Sequence, residues 1–420
     1  MNLCEFITAS PTPFHAVNNA KRMLKEEGFT ELKESEPANV VSGGKYFITR
    51  NLSSIIAFKI PKGGFNGFMI SAAHSDSPAF KIKENSEMTD GNYVRISSER
   101  YGGMLCSTWL DRPLSVAGRI LVKTEKGIES QLVDLKEPTA IMPSVAIHMN
   151  RNANTGANYD FSTDMIPLLR LSGSGQTLKE RICETAGVAD DKLLSWDMFL
   201  YNPEKPTVWG DFITSPRLDD LQCAYASLAA FIKSKNGKSV AVYALFDNEE
   251  VGSETKQGAA STFLYDTLLR IAGNELRQKL ASSMLASCDN AHAIHPNHPE
   301  YADKNHAAKL NGGVVIKYNA NQKYTSDGVS SALFSLICAN AGVKVQYYAN
   351  RPDMAGGSTL GNISNTQVSL NAVDIGIAQL AMHSALETAG KYDTDSFVSA
   401  LTAFFSSSVQ FESDGTYTLV

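Results

Sequence analysis

Apolar and polar positions follow two different rhythms along this chain. From Pro13 to Glu27, His15, Ala16, Ala20, Met23 and Leu24 recur at helical spacing, which predicts an opening helix. Phe47–Ile48 and Ile55–Ile60 read as strands, the second ending at a PKGG turn. After Pro206 the rhythms interleave. Strand-like runs near Val240, Val314 and Val343 alternate with helical runs near Leu221, Thr262, Ser331 and Ala372. Such alternation predicts an α/β fold, with a sheet covered by helices on both faces. The stretch from about Ile82 to Pro206 breaks the pattern. Strand-like pieces such as Arg119–Thr124 and Gln131–Leu135 sit there among Gly and Asn clusters, with no helical period before Thr177–Ala186. This predicts a mainly-β domain at 83–205, inserted into a discontinuous domain made of 1–82 and 206–420. A chain of 420 residues has length enough for both.

Several apolar runs end in groups that can do chemistry. Val240–Phe246 runs into Asp247, Asn248, Glu249 and Glu250, then a glycine. Two adjacent carboxylates at the mouth of a buried strand are costly unless a cation or a proton-transfer task separates their roles. In co-catalytic metal sites the first is a general base and the second a ligand. Phe68, Met69 and Ile70 lead into SAAHSDSPAF, where His74 and Asp76 lie two apart, so that on a strand they share a face. A carboxylate behind a ligating histidine fixes its tautomer. Asp219 and Asp220 in PRLDD precede an apolar helical run, Asp289 ends the segment Ser287–Asp289, and His383 follows NAVDIGI. Taken one at a time, these acids have plainer explanations as helix caps or water-facing loop residues. Taken together, His74, Asp219, Glu250, Asp289 and His383 make two nitrogen and three carboxylate donors. That set suits a pair of zinc ions with one carboxylate bridging them. Spacing alone does not select these five among the chain's eight histidines and many acids.

The combination of motifs does. SAAHSDSPAF, STWLDRPLSVAGR, SPRLDDL, FDNEEVGS, SCDNAHAIHPN, GGVVIKYNANQKYTSD and IAQLAMHS occur in this order and span nearly the whole chain. The set resembles the aspartyl aminopeptidase family of dinuclear zinc exopeptidases. The resemblance implies a three-layer α/β/α catalytic domain of the zinc-exopeptidase type, with the insertion serving as a dimerisation domain. It implies that His74 and Asp289 hold one metal, Glu250 and His383 the other, and that Asp219 bridges both. Glu249 is then the general base and Asp76 the partner of His74. His148 in MPSVAIHMNR, His292, Lys317 and Tyr324 are implied as substrate contacts, with His148 entering a partner subunit's site. The implied reaction removes an N-terminal residue, acidic by preference, from a peptide through a hydroxide bridging the metals. Zinc is the implied metal, and such N/O donors also accept cobalt or manganese. Dimers assembling into a dodecamer are implied as well. Two departures, a glycine in PDMAGGSTLG where the family has cysteine and the MNRNANTG segment, fall in loops that shape the substrate pocket.

Composition narrows the alternatives. A net charge of −6 without a basic stripe speaks against nucleic acid as a main partner. No apolar run approaches the roughly 20 residues a membrane helix requires. The start, MNLCEFITAS, lacks the apolar core of a secretory signal. Six scattered cysteines form no CxxC and fit reduced thiols, so the cytoplasm is the expected compartment. Two other readings stay open: a related dinuclear aminopeptidase that prefers neutral residues, and a non-catalytic scaffold on the same fold. An intact Glu249 disfavours the scaffold.

Overall fold

The computed structural model describes residues 1–235 and 237–420. Its largest sheet has nine strands among the described residues. They lie in the order Thr30–Leu32, Lys45–Arg50, Ser54–Lys59, Val240–Phe246, Phe68–His74, Met284–Cys288, Asn371–Gly376, Val314–Tyr318 and Val345–Ala349. Four central strands run parallel. Val240–Phe246 pairs with Phe68–His74 so that Phe246 faces His74, and Met284–Cys288 pairs with Phe68–His74 on one side and Asn371–Gly376 on the other. Their carboxyl ends therefore share one edge of the sheet.

The alternation along Val240–Phe246 shows why this sheet is buried on both faces. Ala241, Tyr243 and Leu245 enter a core with helices Leu218–Lys233, Gly328–Asn340 and Asp393–Ser406. Val240, Val242, Ala244 and Phe246 enter the opposite core with Phe263–Ala272 and Leu360–Gln367. Fully burying one large apolar side chain contributes about 1.5–3 kcal/mol, so a strand buried on both faces is pinned in register. The helix expected near Ala372 is instead the strand Asn371–Gly376. A short apolar run does not distinguish the two periods, and here Val373 and Ile375 pack into one core while Ala372 packs into the other. The helix Asp393–Ser406 was not anticipated, although Phe397, Ala400, Leu401, Phe404 and Phe405 carry a helical stripe.

A second, antiparallel sheet is built from Gly127–Asp134, Ser115–Thr124, Leu193–Tyr201, Ala79–Asp90, Tyr93–Tyr101 and Leu168–Leu171. Helix Leu178–Ala186 packs Leu178 and Ile182 into its core. Its earliest strand opens at Ala79, ahead of residue 83. A third sheet joins Phe212–Ser215 to Glu387–Gly390, with Ser215 opposite Glu387. That register places the residues after His383 beside those before Asp219. No helix among the described residues is long and apolar enough to cross a membrane.

Candidate metal centre

Three neighbouring parallel strands deliver acids and a histidine to the same edge, the usual place for a site in an open α/β sheet. His74 is the last residue of Phe68–His74, Asp247–Glu250 follow Val240–Phe246, and Asp289 follows Met284–Cys288. Asp219 comes from the first turn of Leu218–Lys233, where the Asp219–Asp220 peptide is cis. His383 sits on the turn after Ala378–Leu380 with a positive φ of 67°.

The two oxygens of Asp219 face different histidines. Oδ1 lies 3.3 Å from His74 Nε2, and Oδ2 lies 3.4 Å from His383 Nε2. Glu250 Oε2 is 3.5 Å from His383 Nε2, and Asp289 Oδ1 is 3.9 Å from His74 Nε2. Zinc donors about 2.0–2.2 Å from a tetrahedral ion stand roughly 3.3–3.6 Å apart, so most of these spacings are those of ligands around a common cation. Three donor groups result: His74, Asp219 and Asp289 make the first, Asp219, Glu250 and His383 the second, and His74, Glu249 and Glu250 the third. Asp219 belongs to the first two. Asp220 also falls within the first group, and Glu249 stands beside it with Oε2 4.0 Å from His74 Nε2.

Electrostatics agree with the spacing. Asp219 Oδ1 and Glu250 Oε1 are buried without a hydrogen-bond partner among the described residues, although buried acceptors are normally satisfied. In the metal-free chain, burial pushes Glu249 up to about 8; His74 pulls against this, while Asp289, Asp76 and Asp219 add to it. Glu250 is driven well above the usual carboxylate range by burial and by Asp219 and Glu249. Burial opposes ionisation of Asp219 too, but His383 and His74 hold its carboxyl well below the ordinary value. So many acids in one dry place call for cations. The donor set fits divalent ions of the zinc type.

A second layer of carboxylates fixes the backbone of the donors. Asp76 accepts from the main-chain N–H groups of Glu249 and Glu250, each at 3.1 Å. Asp220 accepts from the N–H of His74 at 3.1 Å. Glu387 accepts from the N–H of Asp219 at 3.0 Å and of His383 at 2.8 Å. Asp76 also approaches the His74 ring, although the strand ends at His74, so a shared strand face is not what brings them together. Its carboxylate is 3.4 Å from Nδ1, and its main-chain carbonyl is nearer at 3.0 Å. A carbonyl only accepts, so Nδ1 holds a proton and Nε2 is left for a metal. Asp220 and Glu387 were not anticipated as parts of the site. The sole sequence signal for Glu387 is a single acid in the otherwise uncharged segment Ala385–Gly390.

The antiparallel sheet also reaches in. Tyr101 donates its hydroxyl to Asp76 Oδ2 at 2.7 Å, and the Leu105 N–H donates to the His383 carbonyl at 3.0 Å. Between them Gly102 has a φ of +76°, and a Cβ there would come within 3.0 Å of the Glu250 Cβ. Glycine is required for this approach.

The four expected substrate contacts are placed unequally. Lys317, on the strand Val314–Tyr318, is 1% exposed and donates to the carbonyls of Asp289 at 3.0 Å and Asn290 at 3.3 Å. Its ammonium is 3.5 Å from Asp289 Oδ2 and 5.1 Å from the centre of the Tyr324 ring. Against its burial, Asp289 and Tyr324 keep it protonated well beyond the usual lysine range. His292 is solvent-facing, with its ring edge-on to Tyr348 at 6.1 Å. His148 is exposed on a turn and joins none of the donor groups.

A family profile described as "Aminopeptidase I zinc metalloprotease (M18)" matches residues 6–405. A "Probable M18 family aminopeptidase 2" of Clostridium novyi (strain NT) is 43% identical over 409 residues, covering 93% of this chain and 94% of that one. Among solved structures, a chain of the Ape4 and Nbr1 complex superposes with a TM-score of 0.93 at 33% identity, over 96% of this chain and 84% of its own. The yeast mApe1 dodecamer gives a TM-score of 0.84 at 28% identity, over 96% and 95%.

Proposed function

Since the chain belongs to the M18 family of zinc metallo-aminopeptidases, we propose that it is a dinuclear enzyme removing an acidic residue from the N-terminus of peptides. The observation carrying this reading is Asp219, whose two oxygens face His74 and His383 at 3.3 and 3.4 Å. His74, Asp289 and Asp219 would hold one ion, and Glu250, His383 and Asp219 the other. Bound there, divalent ions supply Lewis acidity, which polarises a peptide carbonyl and brings the pKa of water toward neutrality. Glu249 is the carboxylate left over from the two ligand sets. It takes a proton from the attacking water and returns it to the departing amine. Asp76 aims Glu249 by holding its N–H, and it sets the ring of His74.

Support for the acidic preference comes from Lys317. An ammonium has three donors; two are taken by the Asp289 and Asn290 carbonyls, and Asp289 Oδ2 stands at 3.5 Å, longer than an ordinary hydrogen bond, so the third donor remains for a substrate carboxylate. A buried cation facing an apolar side chain would be left partly unpaired, and such mismatches discriminate strongly. Asp-, Glu-, Leu- and Lys-amides are the test. The acidic amides have the highest kcat/KM in the wild type, and Lys317→Met reduces that advantage at least tenfold. A wild type that prefers Leu-amide, or a ranking unchanged in Lys317→Met, removes the acidic preference and leaves the aminopeptidase.

We place His148 in the site of a second subunit. It stands among exposed Val145, Ile147 and Met149, the last 82% exposed, and several exposed apolar side chains in one short segment fit an interface. The inserted segment 83–205 is then the dimerisation domain, and the dodecamer of the yeast structure is the assembly we propose for this chain. Short peptides are the substrates that fit a closed assembly. Mixing inactive His148→Phe chains with inactive Glu249→Gln chains restores partial activity once heterodimers form, because one site then has both groups. Heterodimers without activity would put His148 outside its neighbour's site. The six free thiols support a cytoplasmic location.

A further inference from the structure

We infer that Glu387 is a positioning residue that sets the separation between the shared ligand Asp219 and His383, and so governs occupancy of the metal position next to Glu250. The inference rests on the dinuclear reading above. One carboxylate spans two ligands that lie far apart in sequence: Oε2 accepts from the Asp219 N–H and Oε1 from the His383 N–H. The strand pairing of Ser215 with Glu387 makes this reach possible, since it lays Glu387 alongside the turn into Asp219. His383 itself sits in a left-handed conformation on a turn outside any strand, where Glu387 holds its N–H and the Leu105 N–H holds its carbonyl.

Satisfying two N–H groups does not require a charge. A neutral amide or a water would provide acceptors without a buried anion beside Asp219. Burying a further carboxylate beside Asp219 is unfavourable unless cations offset it. Glu387 is buried and has no cationic side chain within ion-pair distance among the described residues. The charge therefore finds its complement in the ions that Asp219 and His383 hold. Hydrogen bonds from backbone N–H to a charged acceptor are about twice as strong as neutral ones, which makes the clamp stiff as well as complementary.

Glu387→Gln tests this. The substitution keeps the shape, removes the charge, and turns one acceptor into an N–H that opposes a main-chain N–H. The readout is metal binding, by equilibrium dialysis of the full chain against zinc with bound metal counted per chain. The wild type takes two ions. The variant holds one with near wild-type affinity and the second about 10–100-fold more weakly, the usual cost of losing a residue that orients a ligand. Activity of the variant at limiting zinc is low and recovers with excess zinc, which a merely weakened fold would not show. If the variant fails to fold, Glu387→Asp, which keeps the charge but spans only one of the two N–H groups, is measured in the same way and shows the same unequal weakening. Two ions bound with wild-type affinity in the folded variant, even with a lower Tm, overturn the inference and leave the dinuclear reading intact. A wild type that binds fewer than two ions overturns the dinuclear reading itself.

Discussion

Glu249→Gln lowers kcat by about 10²–10⁴-fold, the range expected for loss of a general base, while both metals stay bound. The size of the effect follows from where Glu249 stands. Its Oε2 is 4.0 Å from His74 Nε2, near the centre, yet the two ligand sets proposed above, His74, Asp289 and Asp219 with Glu250, His383 and Asp219, are complete without it. Its main-chain N–H is fixed by Asp76, so the amide variant keeps the same backbone and nearly the same volume. Only the ability to accept a proton disappears. KM changes little, since Glu249 acts on the moving proton rather than on bound substrate. Glu250→Gln makes the contrast: it removes a ligand 3.5 Å from His383 and empties one metal position. Full activity in Glu249→Gln would refute its role, and metal loss in that variant would show that the two glutamates have exchanged roles.

The layers of this fold are legible in the sequence because burial imposes a period. Val240–Phe246 is apolar throughout, as a strand covered on both faces must be, and Pro13–Glu26 carries its stripe at helical spacing. The same logic fails at Asn371–Gly376, where a short apolar run around a buried Asp374 fits either period. The donors are legible in another way. Nothing local separates Asp219 from a capping acid, and it became a candidate only through the ordered set of motifs. The structure brings it together with His74, Glu250, Asp289 and His383. Glu387 and Asp220 escaped because their contribution is a contact to another residue's backbone, fixed by strand pairing and chain crossing rather than by spacing. Lys317 is known from the sequence only as an implied substrate contact. Its burial against the Asp289 carbonyl is a long-range fact that no local pattern encodes.

Removing the metals is expected to abolish turnover and to lower the Tm, with the loss growing as pH rises. A ligand that binds only the folded chain stabilises it by mass action, and that contribution vanishes with the ions. What remains is a cluster of acids without counter-charge. In the metal-free chain Glu249 and Glu387 are each pushed up to about 8 and Asp247 to about 7, with burial the main cause in each case. Their folded pKa values lie above the unfolded ones, so the folded state binds more protons between about pH 4.5 and 8, the lower bound being an ordinary unfolded carboxylate. The stability they allow is present below that window and is lost as pH rises through the folded values. His74 and His383, raised by their acidic neighbours against burial, lose stability in the same direction. The metal-free protein is thus less stable at pH 9 than at pH 6, and bound ions reduce that difference.

The central claim is that His74, Asp219, Glu250, Asp289 and His383 hold a pair of ions without which the chain does not hydrolyse peptides. Its most direct test is to strip the protein with a chelator, dialyse the chelator away, and return zinc in steps while counting bound metal and measuring release of free amino acid from a peptide. The account predicts no turnover in the stripped chain, and activity that returns with zinc and levels off at two ions per chain. Undiminished turnover by a chain shown to carry no metal would contradict it.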